Sequence, residues 1–218
     1  MLYQRSILAV ATVLLVLPPA FAYETPLTDK TVREAYFLGQ HHDASTQSAL
    51  KPYIHIPPAP PKGPHISEIR LFTPYAQVIE ASNAQSAGYS AQQAAADYHS
   101  HADTIVVRFH IEFTPSYGYI ESDRDRADLA AEKGISLRSA DFWQAFNTGL
   151  SQNDQWIEPL SRHGEPIFSH SSESGEMIGA YISVTYDAHD VSSDSAIAEI
   201  FTPDGQHVTS TFDLSTLR

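Results

Sequence analysis

Three side chains with functional groups alternate along one short apolar segment: Arg108, His110 and Glu112. Residues two apart in an extended strand point to the same face of a sheet, roughly 7 Å from each other. An imidazole and a carboxylate at this distance could act as a base and its orienting partner, or could share a metal ion. The adjacent guanidinium repels a cation, so we interpret the stripe as a sheet face that binds a ligand or simply faces solvent.

Two clusters of histidines offer a different chemistry. His41 and His42 stand beside Asp43, and His99 and His101 are separated by one residue. Imidazole and carboxylate groups bind zinc, copper and nickel, but a structural zinc site takes four ligands and neither cluster alone supplies them. We therefore predict no cofactor for this chain, with a divalent metal at these four histidines as the alternative.

A further candidate for binding is the tripeptide Tyr117-Gly118-Tyr119, which follows the apolar segment that carries the stripe. Tyrosine is enriched in recognition surfaces because it brings a large contact area at a low cost in conformational entropy. We predict that Tyr117 and Tyr119 form an exposed aromatic patch on a loop.

The usual sequence signatures of catalysis are missing. The chain has no cysteine, which excludes a cysteine nucleophile, an iron–sulfur cluster and a thiolate zinc site. It also lacks a Gly-x-Ser-x-Gly elbow and a phosphate-binding glycine loop. We predict a non-catalytic binding or interaction module. The alternatives are an exported hydrolase with a histidine and an acid, and a metal-binding protein that uses the histidine clusters.

Residues 1–22 have the pattern of a secretion signal. Arg5 precedes the apolar run Ile7–Leu17, and Ala20-Phe21-Ala22 is a typical cleavage site. The run is about half the roughly 20 residues that span a bilayer, so a membrane anchor is the weaker interpretation. We predict cleavage before Tyr23, a periplasmic or extracellular protein, and no transmembrane segment in the mature chain.

The charge limits the partners of this protein. A formal net charge of −13 repels the phosphates of nucleic acids, which we exclude as partners, and disfavours anionic lipid. The absence of disulfides fits a bacterial exported protein better than an animal one. The expected partner is a protein or a glycan that the sequence does not identify.

The elements that precede the candidate residues are helical. Residues 23–56 read as a helical arm with helices over Leu27–Gly39 and Ala44–Leu50, and Gly39 is a natural helix stop. Residues 57–64 are rich in proline and predict an extended connector.

Residues 65–218 change to a period of two, which indicates a β-rich domain. Apolar and polar residues alternate over Thr104–Phe113 and Ile178–Tyr186, and the second pattern places Ile178 inward. Ser90 predicts the start of one helix, while the segment 142–152 fits a helix or a strand, with a slight preference for strand. Further strands are expected at Ile66–Phe72, Ala76–Glu80, Ala196–Phe201 and Gln206–Phe212. Glu121–Lys133 is predicted to be an exposed helix or loop, and Ser171–Gly175 a polar loop.

These patterns together predict a mainly β fold. The strands are short, alternate in polarity and are separated by turn residues, which is typical of antiparallel sheets with one face on a core. We predict an antiparallel two-sheet sandwich-like domain, preceded by the short N-terminal helical arm and accompanied by one or two small helices.

Overall fold

The computed structural model describes residues 23–85, 88–117, 139–169 and 177–218. The helices are α1 (Asp29–Gln40), α2 (Ala44–Leu50), α3 (Pro74–Ala84) and α4 (Ala91–His99). The strands are β1 (Ile54–His55), β2 (His65–Phe72), β3 (Thr104–Glu112), β4 (Asn147–Gln152), β5 (Gln155–Trp156), β6 (Ser161–Phe168), β7 (Met177–Asp187), β8 (Ser195–Phe201) and β9 (His207–Asp213). Single 3₁₀ turns cover Lys51–Tyr53, Phe142–Ala145 and Ala188–Asp190.

The strands form two antiparallel sheets. The first has the order β1-β2-β3-β7-β6 and the second the order β5-β4-β8-β9. Side chains from both sheets, such as Phe109, Ile182 and Ile200, are fully buried in one hydrophobic core. The prediction of a mainly β, two-sheet sandwich-like fold is confirmed.

Strand β3 shows why the alternating pattern predicts this fold. It pairs with β2 on one side and β7 on the other. Its residues Ile105, Val107, Phe109 and Ile111 are completely buried, while the residues between them reach the outer face of the sheet. Burying each such side chain contributes roughly 1.5–3 kcal/mol, so any shift of register by one residue would be strongly disfavoured.

A layer of helices accompanies the sheets. Helix α1 packs against α3 and α4, whereas α3 and α4 touch each other only slightly. Gly39, predicted as a helix stop, lies in the last turn of α1 and faces α3. A Cβ atom there would sit 2.5 Å from the carbonyl oxygen of Ile79 and 2.7 Å from Cβ of Ser82. The glycine therefore permits the close approach of the two helices.

The segments before β2 are joined to the rest of the fold by specific contacts. The Tyr23 hydroxyl donates to the carbonyl of Ala188 at 2.9 Å, and Leu27 is buried in the core. In the proline-rich segment, the Gly63 N–H donates to Ser116 Oγ at 3.0 Å. How the chain divides into domains stays a prediction, but these contacts give the N-terminal segment a fixed position.

Local sequence signals located several boundaries correctly. Ser90 is the N-cap of α4, and its hydroxyl accepts a hydrogen bond from the Gln93 N–H. Thr28 caps α1 in the same way. The turn between β8 and β9 contains Gly205 with φ of +89°, a conformation that favours glycine.

The strand predicted at Ala76–Glu80 is wrong, because these residues belong to α3. The Thr73 hydroxyl accepts from the Ala76 N–H as an N-cap, and Pro74 occupies the first helical turn. Thr-Pro after an apolar strand is compatible with a turn, but here it begins a helix. The described part of the chain therefore holds a helix where the sequence predicts a strand.

Two other strand predictions need a change of detail. Ile178 is 44% exposed rather than inward, because β7 bulges there and Gly179 pairs with Ile167 while Met177 pairs with Phe168. The ambiguous segment 142–152 divides into the 3₁₀ turn and strand β4.

Several predictions concern residues outside the described ranges: the leader 1–22, Glu121–Lys133 and Ser171–Gly175. In the described ranges, no helix is long and apolar enough to cross a membrane.

Candidate functional site

The predicted stripe lies on the outer face of the five-stranded sheet. The Arg108 guanidinium sits over the rings of Phe72 and Tyr181, with its Cζ 5.2 and 5.8 Å from their centroids, and its Nε donates to Ser183 at 3.3 Å. The ring of His110 lies 4.6 Å from that of Tyr181. The prediction that these side chains share one face of a strand is therefore correct. The contacts of Arg108 with Phe72, Tyr181 and Ser183 are enough to explain its position without a bound ligand.

Glu112, the last residue of the stripe, lies between two histidines. Its carboxylate oxygens lie 3.6 Å from Nδ1 of His65 and 3.9 Å from Nδ1 of His110. Burial lowers the pKa of His110 below the ordinary value near 6.5, although Glu112 and Glu68 oppose this effect. Arg70 and His65 lower the pKa further. The folded protein thus favours the neutral imidazole at position 110.

This pKa shift predicts how stability depends on pH. As the pH falls below about 6.5, the unfolded chain protonates His110 before the folded chain does, so the free energy of unfolding decreases. We expect His110→Gln to weaken this decrease when both proteins are unfolded in urea at a series of pH values from 7.5 to 5. Parallel pH profiles for the two proteins would contradict the assignment.

The histidines of the first cluster bind neighbouring side chains. His41 Nδ1 lies 2.9 Å from Ser45 Oγ, and His42 Nδ1 lies 3.2 Å from Asn83 Oδ1. The amide oxygen of Asn83 can only accept, so His42 donates to it. These contacts stabilise the loop between α1 and α2.

The histidines of the second cluster point away from each other. His99 Nε2 lies 2.8 Å from Asp29 Oδ1 on α1, whereas His101 Nδ1 donates to the carbonyl of Asp97 at 2.9 Å. Among the described residues, no group of three or more His, Asp or Glu side chains is arranged to hold a metal ion. The absence of a cofactor stays a prediction, with a metal at these histidines as its alternative.

Tyr117 lies in the hydrophobic core and not on an exposed loop. Only 2% of its surface is exposed, and its ring makes edge contacts with Phe113, Phe142 and Phe146. Tyr119 lies outside the described residues. Tyr117 therefore packs the two sheets together, and its ring does not form a surface patch.

A concave cleft lies between α3 and α4. Its volume is about 490 Å³, within the usual range for small-molecule sites. The walls are largely apolar. They are formed mainly by Pro74, Val78 and Ala81 on one side and by Ala94, Tyr98 and Ala102 on the other.

Small side chains explain why this space stays open. Both helices are held by α1, but Ala81, Ala94 and Ala102 do not reach across the gap between them. The Gln77 side chain fixes α3 to the neighbouring strands, because its amide donates to the carbonyls of Phe72 and Thr104. The cleft is therefore bounded by elements whose positions are fixed elsewhere.

One end of the cleft is organised around Tyr98. Its phenolic oxygen accepts from the Leu27 N–H at 2.7 Å. Burial and a hydrogen bond to Asp103 raise the pKa of Tyr98 far above its usual value. Asp103 also accepts from the Thr25 hydroxyl at 3.0 Å. These bonds connect the segment before α1 to the wall of the cleft.

Asp97 on α4 is a second carboxylate that lines the cleft. One of its oxygens accepts from the Tyr89 hydroxyl at 2.9 Å and the other from the Gln93 amide at 3.1 Å. Burial, assisted by this hydrogen bond to Asp97, raises the pKa of Tyr89 to about 12. Tyr89 is therefore neutral near pH 7 and keeps the carboxylate oriented.

The sequence predicts the start of α4 at Ser90 and includes His101 among the candidate ligands, but it does not predict the cleft. Helix α4 supplies Ala94 and Tyr98 to one wall. Helix α3, which forms the opposite wall, was not predicted, because Ala76–Glu80 was assigned to a strand. Recognising Thr73-Pro74 as the start of a helix would have predicted that wall.

No protein-family model, curated protein or solved structure matches this chain. Its function must therefore be inferred from the geometry of its own residues.

Proposed function

We propose that this chain is an exported, non-catalytic binding protein that takes a small, largely apolar molecule into the cleft between α3 and α4. The observation that carries the proposal is the cleft itself: about 490 Å³ of concave, mostly apolar space with a few fixed polar groups. Such a combination is the usual form of a small-molecule site.

The arrangement of the polar groups favours binding over hydrolysis. Ser100 Oγ lies 2.9 Å from Nδ1 of His101, but both groups also lie within hydrogen-bond distance of the carbonyl of Asp97, at 2.7 and 2.9 Å. A carbonyl oxygen only accepts, so a His101 that donates from Nδ1 to Asp97 has no lone pair there for the serine proton. That bond at the end of α4 competes with the serine–histidine pairing that nucleophilic catalysis would require.

Export is the second part of the proposal, and it is supported by the leader pattern of residues 1–22. The segment that follows the proposed cleavage site belongs to the fold, since Tyr23 is 7% exposed and its N–H donates to Leu214 at 3.2 Å. Mass spectrometry of the protein secreted by a bacterial host should give a chain that begins at Tyr23. An intact Met1 in the secreted protein would contradict cleavage.

Binding to the cleft can be tested with N-phenyl-1-naphthylamine, an uncharged probe that fluoresces in apolar cavities. Ala81 is exposed and lines the cleft, so Ala81→Phe should fill it and weaken binding by about tenfold or more. Ala84 is exposed on the same helix but outside the cleft, so Ala84→Phe should change the affinity by less than about twofold.

Each outcome has a clear meaning. Equal affinities of the two variants for the probe would show that the probe binds outside the cleft. A lack of binding by the unmodified protein would contradict the proposed function. Urea unfolding of both variants checks that the fold is unchanged.

A further inference from the structure

We propose that the cleft between α3 and α4 selects an organic cation, a molecule with an apolar body and a protonated amine or quaternary ammonium group. The inference rests on the proposed function and names the ligand class of the same site.

Two carboxylates of the cleft lack a lysine or arginine partner. Asp97 and Asp103 both line the cleft, and neither forms an ion pair with a lysine or arginine in the described part of the chain. The partners of Asp97 are the neutral groups of Tyr89 and Gln93, and those of Asp103 are Thr25 and Tyr98. Neutral donors orient a carboxylate but do not cancel its charge.

Asp103 is half-buried beside the apolar walls of the cleft, whereas Asp97 is exposed at the cleft surface. A half-buried carboxylate beside apolar surface attracts a cation more strongly than it does in bulk water, and the exposed carboxylate contributes less. An anion in the cleft would be repelled by these carboxylates and would also lose part of its hydration shell, so its binding is disfavoured. A neutral ligand would gain only the apolar contact.

A pair of tyrosines adds to the preference for a cation. Tyr89 and Tyr98 both line the cleft, and the hydroxyl of each is engaged by a carboxylate. The face of an aromatic ring attracts a cationic group, so two tyrosine rings and two carboxylates in one cleft favour the same class of ligand.

A metal ion fits this cleft less well than an organic cation. Hard cations take six or more oxygen ligands, whereas the walls here are largely apolar and no metal-holding group exists among the described residues. The long-range field adds to the selection of positive ligands, since the chain carries a formal net charge of −13.

Three ligands of equal chain length separate charge from apolar contact: octylammonium, octan-1-ol and octanoate, each used to displace N-phenyl-1-naphthylamine at neutral pH. We expect octylammonium to bind about tenfold more tightly than octan-1-ol, which corresponds to about 1.4 kcal/mol. Octanoate should bind more weakly than the alcohol. Raising the salt from about 0.05 to 0.5 M should reduce the preference for the cation.

Isosteric variants then assign the preference to the two carboxylates. Asp97→Asn and Asp103→Asn retain an oxygen that accepts from Tyr89 and Thr25, so the fold should be kept. Each should reduce the preference for octylammonium over octan-1-ol several-fold, and the double variant should remove most of it. Asp154 lies in the exposed turn before β5 with φ of +60°, which asparagine tolerates, so Asp154→Asn is the matched control for charge.

The outcomes distinguish the inference from the proposed function. Equal displacement by all three ligands would overturn cation selection and leave the binding cleft in place. A preference that survives undiminished in the double Asn variant would overturn the role of Asp97 and Asp103. If neither the probe nor any of the ligands binds, the proposed function fails as well.

Discussion

Replacing Gly179 with alanine should lower the free energy of unfolding by about 3 kcal/mol. Gly179 lies in β7 next to the bulge at Ile178 and pairs with Glu112 of β3. A Cβ atom at position 179 would lie less than 3.0 Å from the carbonyl oxygen of Ile111. Because the obstructing atom belongs to the backbone of a central strand, no side-chain rotation can relieve the overlap.

Urea unfolding measures this effect directly, provided that the dependence of the free energy on urea concentration stays the same in variant and parent. Ile178→Ala is the matched control, since the neighbouring side chain is 44% exposed and its truncation should cost less than about 1 kcal/mol. Equal stabilities for Gly179→Ala and the parent would mean that β3 and β7 do not approach each other as described.

Gly39→Ala should lower the free energy of unfolding by about 2 kcal/mol, although alanine is the better helix former. The change removes the glycine penalty of about 1 kcal/mol in α1. It also places a methyl group 2.5 Å from the Ile79 carbonyl oxygen and 2.7 Å from Ser82 Cβ. Overpacking of this kind costs about 1–3 kcal/mol or more, so α3 must move away from α1 and destabilisation prevails.

Thermal and urea unfolding of Gly39→Ala can be compared with Ser48→Ala, which changes an exposed residue of α2. The control should lie within about 0.5 kcal/mol of the parent. A stabilised Gly39→Ala protein would show that helix propensity dominates and that α1 and α3 are not in close contact.

Strands β2, β3, β7, β8 and β9 were predictable because their sequences alternate locally, whereas β1, β5 and β6 were not predicted. In β3, four buried apolar residues alternate with residues on the outer face, a pattern typical of an antiparallel strand over a core. The α4 boundary was predictable for the same reason, since Ser90 and Gln93 form a local cap. Gly179 and the bulge at Ile178 were not, because both depend on the register with β3 and β6.

Helix α3 was missed because its central residues Ala76–Glu80 form a short segment of mixed polarity that suits a strand as well as a helix. What decides between the two is the cap at Thr73 and the packing of α3 on α1 through Gly39. The first signal was ambiguous and the second is not local. With α3 assigned to a strand, the cleft had no second wall.

The candidate binding residues divide in a similar way. The common face of Arg108, His110 and Glu112 follows from strand geometry and was predicted. The burial of Tyr117 was not predicted, because it depends on contacts of the ring with Phe142 and Phe146, which lie about 25 residues further along the chain. Residues at a strand end are commonly exposed, and only long-range packing reverses that expectation here.

The most direct test of this account is a crystal structure of Tyr23–Arg218 grown with octylammonium at a saturating concentration. The account predicts an alkyl chain between α3 and α4, in contact with Val78 and Ala94, with its nitrogen about 3 Å from a carboxylate oxygen of Asp97 or Asp103. Octylammonium bound elsewhere, with the cleft unoccupied, would contradict both the proposed function and the selection of a cation.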